Sequence, residues 1–282
     1  MRRHFIKYIY SGIFSISFFL CLKVAIPSPA ESIDTRDSEI IKKYQKIILE
    51  EPSNLNAHFN LGILYYRNAL FDEAVREFRK VLDINPNDSE AYYNLGNVFN
   101  KKNLFDDAID SYKKATAINS NDAGIFHNLG NAYAGKGMID DAISSYKKAI
   151  EINPNLAESH KSIAYLYKKK GQTTESIQSF EKAAKSNSKD IPMLLDLAST
   201  YESNGSQDRA ILTYKRILSI DPNHKDTKNR LAMLCNNKGV SLALLGKSDE
   251  AISAYKEALQ NKEDFKEVYN NLGAVYVDKD MV

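Results

Sequence analysis

The sequence predicts an all-α chain, an α-solenoid in which antiparallel helix pairs stack one on the next. Three periodicities carry that reading. Gly62, Gly96 and Gly130 are 34 residues apart. So are Ala74, Ala108, Ala142, Ser176 and Ala210. Pro86, Pro154 and Pro222 fall on the same grid, with Ser120 and Ser188 between them. A fixed period of this size marks a repeat array, in which each unit buries its apolar face against its neighbours.

The N-terminus comes first. Residues 1–30 carry Arg2, Arg3, Lys7 and Lys23 and no acid. The uncharged run from Tyr8 to Leu22 would be about 22 Å long as a helix. That is short for a bilayer span and fits the apolar core of an export signal. Ser28 and Ala30 provide the small residues of a cleavage site after Ala30, and Pro27 and Pro29 stop a helix from running into it. Cleavage would leave the chain periplasmic or extracellular. Two alternatives stay open. Lys23 could snorkel and leave residues 8–26 as an uncleaved membrane anchor, or Cys21 could be lipidated, although Leu20 is large for the residue before it.

Residues 31–54 contain a linker and half a unit, "DSEIIKKYQKIILEEP", with Tyr44, Ile47 and Pro52 on the grid. Five units follow at 55–88, 89–122, 123–156, 157–190 and 191–224. In the first, His58, Leu61, Gly62 and Tyr65 make one helical stripe, and Phe71, Ala74, Phe78 and Val81 make a second. The turn between the helices carries Gly137, Gly171, Gly205 or Gly246, or Asn103, residues that tolerate the left-handed conformation ending a helix. Ala69 in the first turn should be strained. In the sixth unit (225–265) the grid slips by seven residues, because the repeat's Ala falls at 251 instead of 244. Seven residues are close to two helical turns, so the sequence predicts a first helix two turns longer with its apolar face, Leu231, Leu234 and Cys235, still aligned. Residues 266–282 supply only the first helix of a seventh unit. Its Tyr276, Val277 and Met281 make it a poor polar cap, so it should be covered, by a partner or by self-association.

These residues resemble the tetratricopeptide repeat family. The second unit shows its pattern as Tyr92, Leu95, Gly96, Phe99, Ala108, Tyr112 and Ala115 at positions 4, 7, 8, 11, 20, 24 and 27. The resemblance covers residues 37 to 282. Ala164 and Ala198 depart from it by replacing Gly, and Ser176 by replacing Ala. It implies a right-handed superhelix whose first helices line a concave groove for protein or peptide partners. Positions 2, 5, 6, 9, 12 and 13 would form that lining, a stripe not needed for packing within the pair. The candidate contact residues are Asn60, Tyr93, Asn94, Asn97, Lys101, His127, Asn128, Asn131, Lys161, Tyr165 and Lys168. The fourth unit should present a basic and aromatic surface (Lys161, Tyr165, Lys168, Lys169) and the fifth an acidic one (Asp196, Glu202).

Position 6 reads Asn60, Asn94, Asn128, Ser162, Asp196, Asn237 and Asn271, polar throughout. Asn costs roughly 0.5–0.7 kcal/mol against Ala in a helix, so something should offset it. Two readings stay open: an amide ladder pairing with a peptide backbone, or a structural consensus. Some relatives clamp a terminal carboxylate with Asn and Lys. Asn97 and Asn128 fit that arrangement, but Tyr93, Glu158 and Ser162 replace its basic residues.

Other chemistry is excluded by composition. Away from the N-terminus the chain carries 34 basic against 36 acidic residues, too balanced for phosphate neutralisation, so no nucleic-acid partner is expected. Cys21 and Cys235 make no framework, and five scattered histidines suggest no metal. The acid pairs Asp72–Glu73, Asp106–Asp107, Asp140–Asp141 and Asp249–Glu250 sit where acids favour a helix N-terminus, which accounts for them without catalysis. No nucleophile motif, phosphate loop, cofactor or small-molecule substrate is expected. The sequence reads as a non-catalytic interaction scaffold or assembly factor. A membrane-anchored adaptor and a regulatory subunit of an enzyme whose catalytic chain is separate are the alternatives.

Overall fold

The computed structural model describes residues 34–279. The export signal, the anchor alternative, Cys21 and Met281 lie outside them. Every described element is a helix. One series comprises α2 (Leu55–Arg67), α4 (Ser89–Lys101), α6 (Ala123–Gly135), α8 (Ala157–Lys169), α10 (Ile191–Ser203), α12 (Lys225–Leu244) and α14 (Lys266–Asp278). These alternate with α1 (Thr35–Glu50), α3 (Phe71–Ile84), α5 (Phe105–Ile118), α7 (Ile139–Ile152), α9 (Thr173–Ser186), α11 (Gln207–Ile220) and α13 (Ser248–Asn261). Each helix packs on the one before it and the one after it, which is the connectivity of an α-solenoid.

The two series begin differently. Asn54, Asp88, Asp122 and Asp190 cap helices of the first series through side-chain bonds to backbone N–H groups. The second series from α3 to α13 has no such side-chain cap. Its first turns carry the acids, which meet the positive end of the helix dipole. Those acids have a second partner that the dipole reading missed. Lys102 donates to Asp72, Lys136 to Asp106, Lys170 to Asp140, Lys238 to Asp208 and Lys279 to Asp249, at 2.5–2.7 Å, each from the following unit. The pairs are surface-exposed and individually weak, but they repeat at a spacing of 30 residues along one edge of the stack.

The turn expectation holds. Ala69 and Asn103 have φ of 57° and 58°, and the glycines at the equivalent positions have φ of 72–83°. Ala in that conformation costs roughly 1 kcal/mol.

Within a pair the close approach runs over position 8. A Cβ added at Gly96 or Gly130 would lie 2.6 Å from the Tyr112 or Tyr146 ring, inside carbon contact distance. Gly62 under Phe78 and Gly239 under Tyr255 repeat the arrangement. Alanines 74, 108, 142 and 251, one turn before these rings on the same helices, are fully buried. In the fourth unit Ala164 replaces the Gly, and Ser176 donates its hydroxyl to the Ala164 carbonyl at 2.9 Å, so its polar atom is satisfied.

Helix α12 has 20 residues where the other first-series helices have 13. In regular units the ladder lysine follows the packing glycine by six residues, as Lys102 follows Gly96. In α12 Lys238 precedes Gly239. The helix therefore meets α11 in one frame, through Lys238 and Asp208, and α13 in a frame seven residues later, through Gly239 and Tyr255. Leu231, Leu234 and Cys235 are buried on its apolar side. At 1.5 Å per residue the two frames are offset by about 10 Å.

Candidate functional site

The candidate contact residues all lie on α2, α4, α6 and α8. Four of them meet. Asn128 on α6 donates to the Tyr93 hydroxyl at 2.9 Å and to Asn97 Oδ1 at 3.0 Å, both on α4. Asn131 donates to Asn128 Oδ1 at 3.2 Å. Two tyrosines of the second series close the network from beneath: Tyr112 donates to Asn97 Oδ1 and Tyr146 to Asn131 Oδ1, each at 2.7 Å. Burial pushes the Tyr112 hydroxyl far above its ordinary pKa and that of Tyr146 to about 12. Both stay protonated donors at any physiological pH.

The next group spans α6 and α8. His127 Nδ1 lies 2.8 Å from Ser159 Oγ, and its ring packs on Tyr146 with centroids 5.3 Å apart. Burial lowers the His127 pKa, so the imidazole is neutral at pH 7. Farther along, Tyr165 and Lys168 converge on the Asp196 carboxylate at 2.7 and 3.2 Å. Burial, then that carboxylate, raises the Tyr165 pKa. Lys161 sits between Glu158 at 3.1 Å and Asp190 at 3.0 Å.

Three expectations change. The stripe is not free of packing duty, because position 5 and position 9 side chains lie on the ring at position 24. Phe59 packs on Phe78, Tyr93 on Tyr112 and Tyr165 on Phe180, at centroid distances of 5.8, 6.0 and 5.2 Å. The aromatic at position 24 is wide enough to reach beyond position 8 to positions 5 and 9 of the first helix. Second, Lys161 and Lys168 of the fourth unit are not free cations, since Lys161 pairs with Glu158 and Asp190 of its own unit and Lys168 with Asp196 of the fifth. Third, the asparagines of position 6 do not behave alike. Asn60 and Asn94 donate to carbonyls of their own helices, Asn56 and Glu90, at 2.8 and 2.9 Å. Asn128 and Asn271 instead reach the preceding unit. Lys101 is exposed at the end of α4.

Tyr112, Tyr146 and Ser159 were missed as members of the site. A signal for the first two existed: units two and three combine Tyr at position 24 with Asn at position 9, whereas Phe78 pairs with Ile63 and Phe180 with Tyr165. The acids that the sequence assigns to the fifth unit's surface, Asp196 and Glu202, both have partners. Asp196 is an interunit acceptor, and Glu202 accepts from Tyr214 at 2.6 Å and Arg230 at 3.1 Å.

The result is a band of neutral amides and hydroxyls with half-buried aromatic edges, flanked by compensated ion pairs. It can exchange hydrogen bonds with a polar backbone and stack against flat groups. Among the described residues there is no cluster of three metal-ligating side chains, and no helix is long and apolar enough to cross a membrane.

Models described as TPR repeat match residues 71–103, 96–137 and 239–280, and models described as tetratricopeptide repeat match 123–156, 145–178 and 191–224. Together they cover more than half of the sequence. The chain belongs to the tetratricopeptide repeat family. Among solved structures this TPR chain is similar to MamA, 28% identical over 57% of this chain and 98% of that one, with a TM-score of 0.52. It is also similar to YrrB, described as a TPR protein with an unusual peptide-binding site, at 21% identity over 68% of this chain and 96% of that one, TM-score 0.50. One curated relative is a probable UDP-N-acetylglucosamine–peptide N-acetylglucosaminyltransferase, SPINDLY of Hordeum vulgare, 36% identical over 67 residues. That stretch is 24% of this chain and 7% of the relative, so the likeness covers a small part of that protein. The TPR array makes this chain a protein-interaction scaffold.

Proposed function

We propose that the protein is an exported, non-catalytic assembly factor whose first-helix groove holds an extended segment of a partner protein. The observation that carries this is the amide and hydroxyl network joining Tyr93, Asn97, Asn128 and Asn131 across two units. An amide or hydroxyl that already serves a neighbour still has a second donor or acceptor site to offer. Such groups can pair with a peptide backbone without reading its side chains.

The experiment is selection from a displayed library of random peptides, followed by affinity measurement on variants. Asn94→Ala and Lys101→Ala leave the interunit network intact, so they should weaken peptide binding several-fold at an unchanged melting midpoint. Asn128→Ala should lower both affinity and midpoint. Failure to enrich any peptide, or affinities that none of the three changes alters, would remove the groove reading. Export is tested separately by N-terminal sequencing of protein recovered from cells. A chain starting at Glu31 supports the cleaved form, and one that retains residues 8–26 supports the anchored adaptor.

A further inference from the structure

The fourth unit holds two polar groups whose counterparts in other units have partners. The first is on His160, which is 6% exposed. His58 holds the same place in the first unit, with Nε2 3.0 Å from the Pro52 carbonyl and Nδ1 2.6 Å from Glu77 on α3. His160 Nε2 repeats the proline contact, 2.9 Å from the Pro154 carbonyl. Its Nδ1 then turns toward the residue equivalent to Glu77, which is Ser179 on α9. The Ser179 hydroxyl donates at 2.8 Å to the Glu175 carbonyl of its own helix, so it has no proton for the ring. With the proton on Nε2 for Pro154, Nδ1 of the neutral imidazole is an acceptor without a donor among the described residues.

The second group is the hydroxyl of Tyr167, at position 11. Tyr65 and Tyr201 hold that position in units one and five, and both are buried. Each is bonded to position 25 of the preceding second helix: Gln45 donates to Tyr65 at 3.0 Å, and Tyr201 donates to Glu181. Before Tyr167 that position is Lys147, which is exposed. Tyr167 is only partly buried, and its hydroxyl has no hydrogen-bond partner among the described residues. Beside it a cavity of about 310 Å³ opens between α7, α8 and α9, lined by His160, Tyr167, Ser179, Ile150 and Ile163. Its rim sets Lys147 and Lys182 against Glu151 and Glu175, so the mouth carries no net charge.

We infer that this cavity binds a neutral, ring-sized group carrying one hydroxyl, the chemistry of a phenol. The ligand hydroxyl donates to His160 Nδ1 and accepts from Tyr167, and its ring lies on Ile150 and Ile163. A wholly apolar ligand would cover the acceptor and the donor without pairing either, which costs free energy. A charged ligand would lose its hydration against an apolar floor and gain nothing from a balanced rim. The volume is at the small end for ligand pockets and suits one ring, not a length of chain. The lining residues occupy positions 4, 7, 11, 23 and 28, none of them in the groove stripe, so this inference does not rest on peptide binding there. A free phenol and a tyrosine side chain of a partner offer the same chemistry.

The test is an NMR titration of the full chain with p-cresol, the side chain of tyrosine, and with toluene, which lacks the hydroxyl. p-Cresol should shift the signals of His160, Tyr167 and Ile163 saturably, and toluene should bind at least several-fold more weakly. Tyr167→Phe keeps the ring and should weaken p-cresol several-fold at an unchanged melting midpoint. His160→Phe should do the same to binding, and Asn94→Ala in the groove should not alter it. N-Acetyltyrosinamide separates the two sources. Its binding supports a partner tyrosine, and its exclusion while p-cresol still binds supports a free phenol. No saturable shift with p-cresol would overturn the inference. So would toluene binding as tightly, or p-cresol affinity that Tyr167→Phe leaves unchanged.

Discussion

Units two and four pack the same pair of helices with different residues. In unit two Gly96 lets the Tyr112 ring lie on α4, and the Tyr112 hydroxyl then reaches Asn97. In unit four Ala164 stands at the close approach, Ser176 binds its carbonyl, the ring is Phe180, and Tyr165 meets that ring edge-on at 90°. Between these two units positions 8, 9, 20 and 24 all differ. Tyr112 approaches over a glycine and finds an acceptor for its hydroxyl in Asn97, whereas Phe180 is accommodated with a methyl group at Ala164 and needs no acceptor. The polar network of the candidate site is a consequence of this packing choice, because Tyr112 and Tyr146 are also core residues.

The comparison can be broken most strongly at the glycine. Gly96→Leu should cost about 3 kcal/mol or more, because the ring beneath it has no room to withdraw, and the denaturant midpoint should fall accordingly. The same change at Gly273, which faces open space, should leave the midpoint of the dilute protein where it was.

A middle-sized effect separates hydroxyl from ring. Asn97→Leu strands the buried Tyr112 hydroxyl and should cost about 1–3 kcal/mol. Adding Tyr112→Phe removes the stranded group and makes the unit resemble the first one, Ile63 with Phe78. The double variant should recover most of the loss, and a double-mutant cycle measures the coupling.

The smallest effect is on pH. His127 is held neutral by burial, so its folded pKa lies below its unfolded value near 6.5. The unfolded chain binds the proton more readily, so stability is complete above that value and declines as pH falls through it. His127→Gln should flatten this acid slope. Unfolding of both proteins at pH 7.5 and 5.5 checks the sign: the wild type must lose more than the variant.

Most of the architecture was readable from sequence because the close approach demands small residues at fixed intervals, and Gly62, Gly96 and Gly130 are a strict record of it. The seven-residue slip was readable for the same reason, through Ala251. The use of the stripe was harder to read. Whether Asn94 turns to its own helix while Asn128 reaches the neighbouring one depends on the lateral offset between units, which no spacing along one helix encodes. The charge of unit four is hard to read from sequence because Lys161 is matched by Glu158 and Asp190 at the two ends of its own unit and Lys168 by Asp196 of the next. The aspartate–lysine ladder was present in the sequence as a spacing of 30, and a search for opposite charges at that interval would have found it.

Helix α12 gives the array what crystallographers call a stacking fault. The layers on either side are each regular, and the lattice resumes after a slip of about 10 Å along one helix axis because seven residues nearly equal two whole turns. A rigid extended ligand in phase with units one to five falls out of phase at the sixth. A single partner that grips both sides must carry a matching jog, and two separate ligands could occupy the two sides without competing.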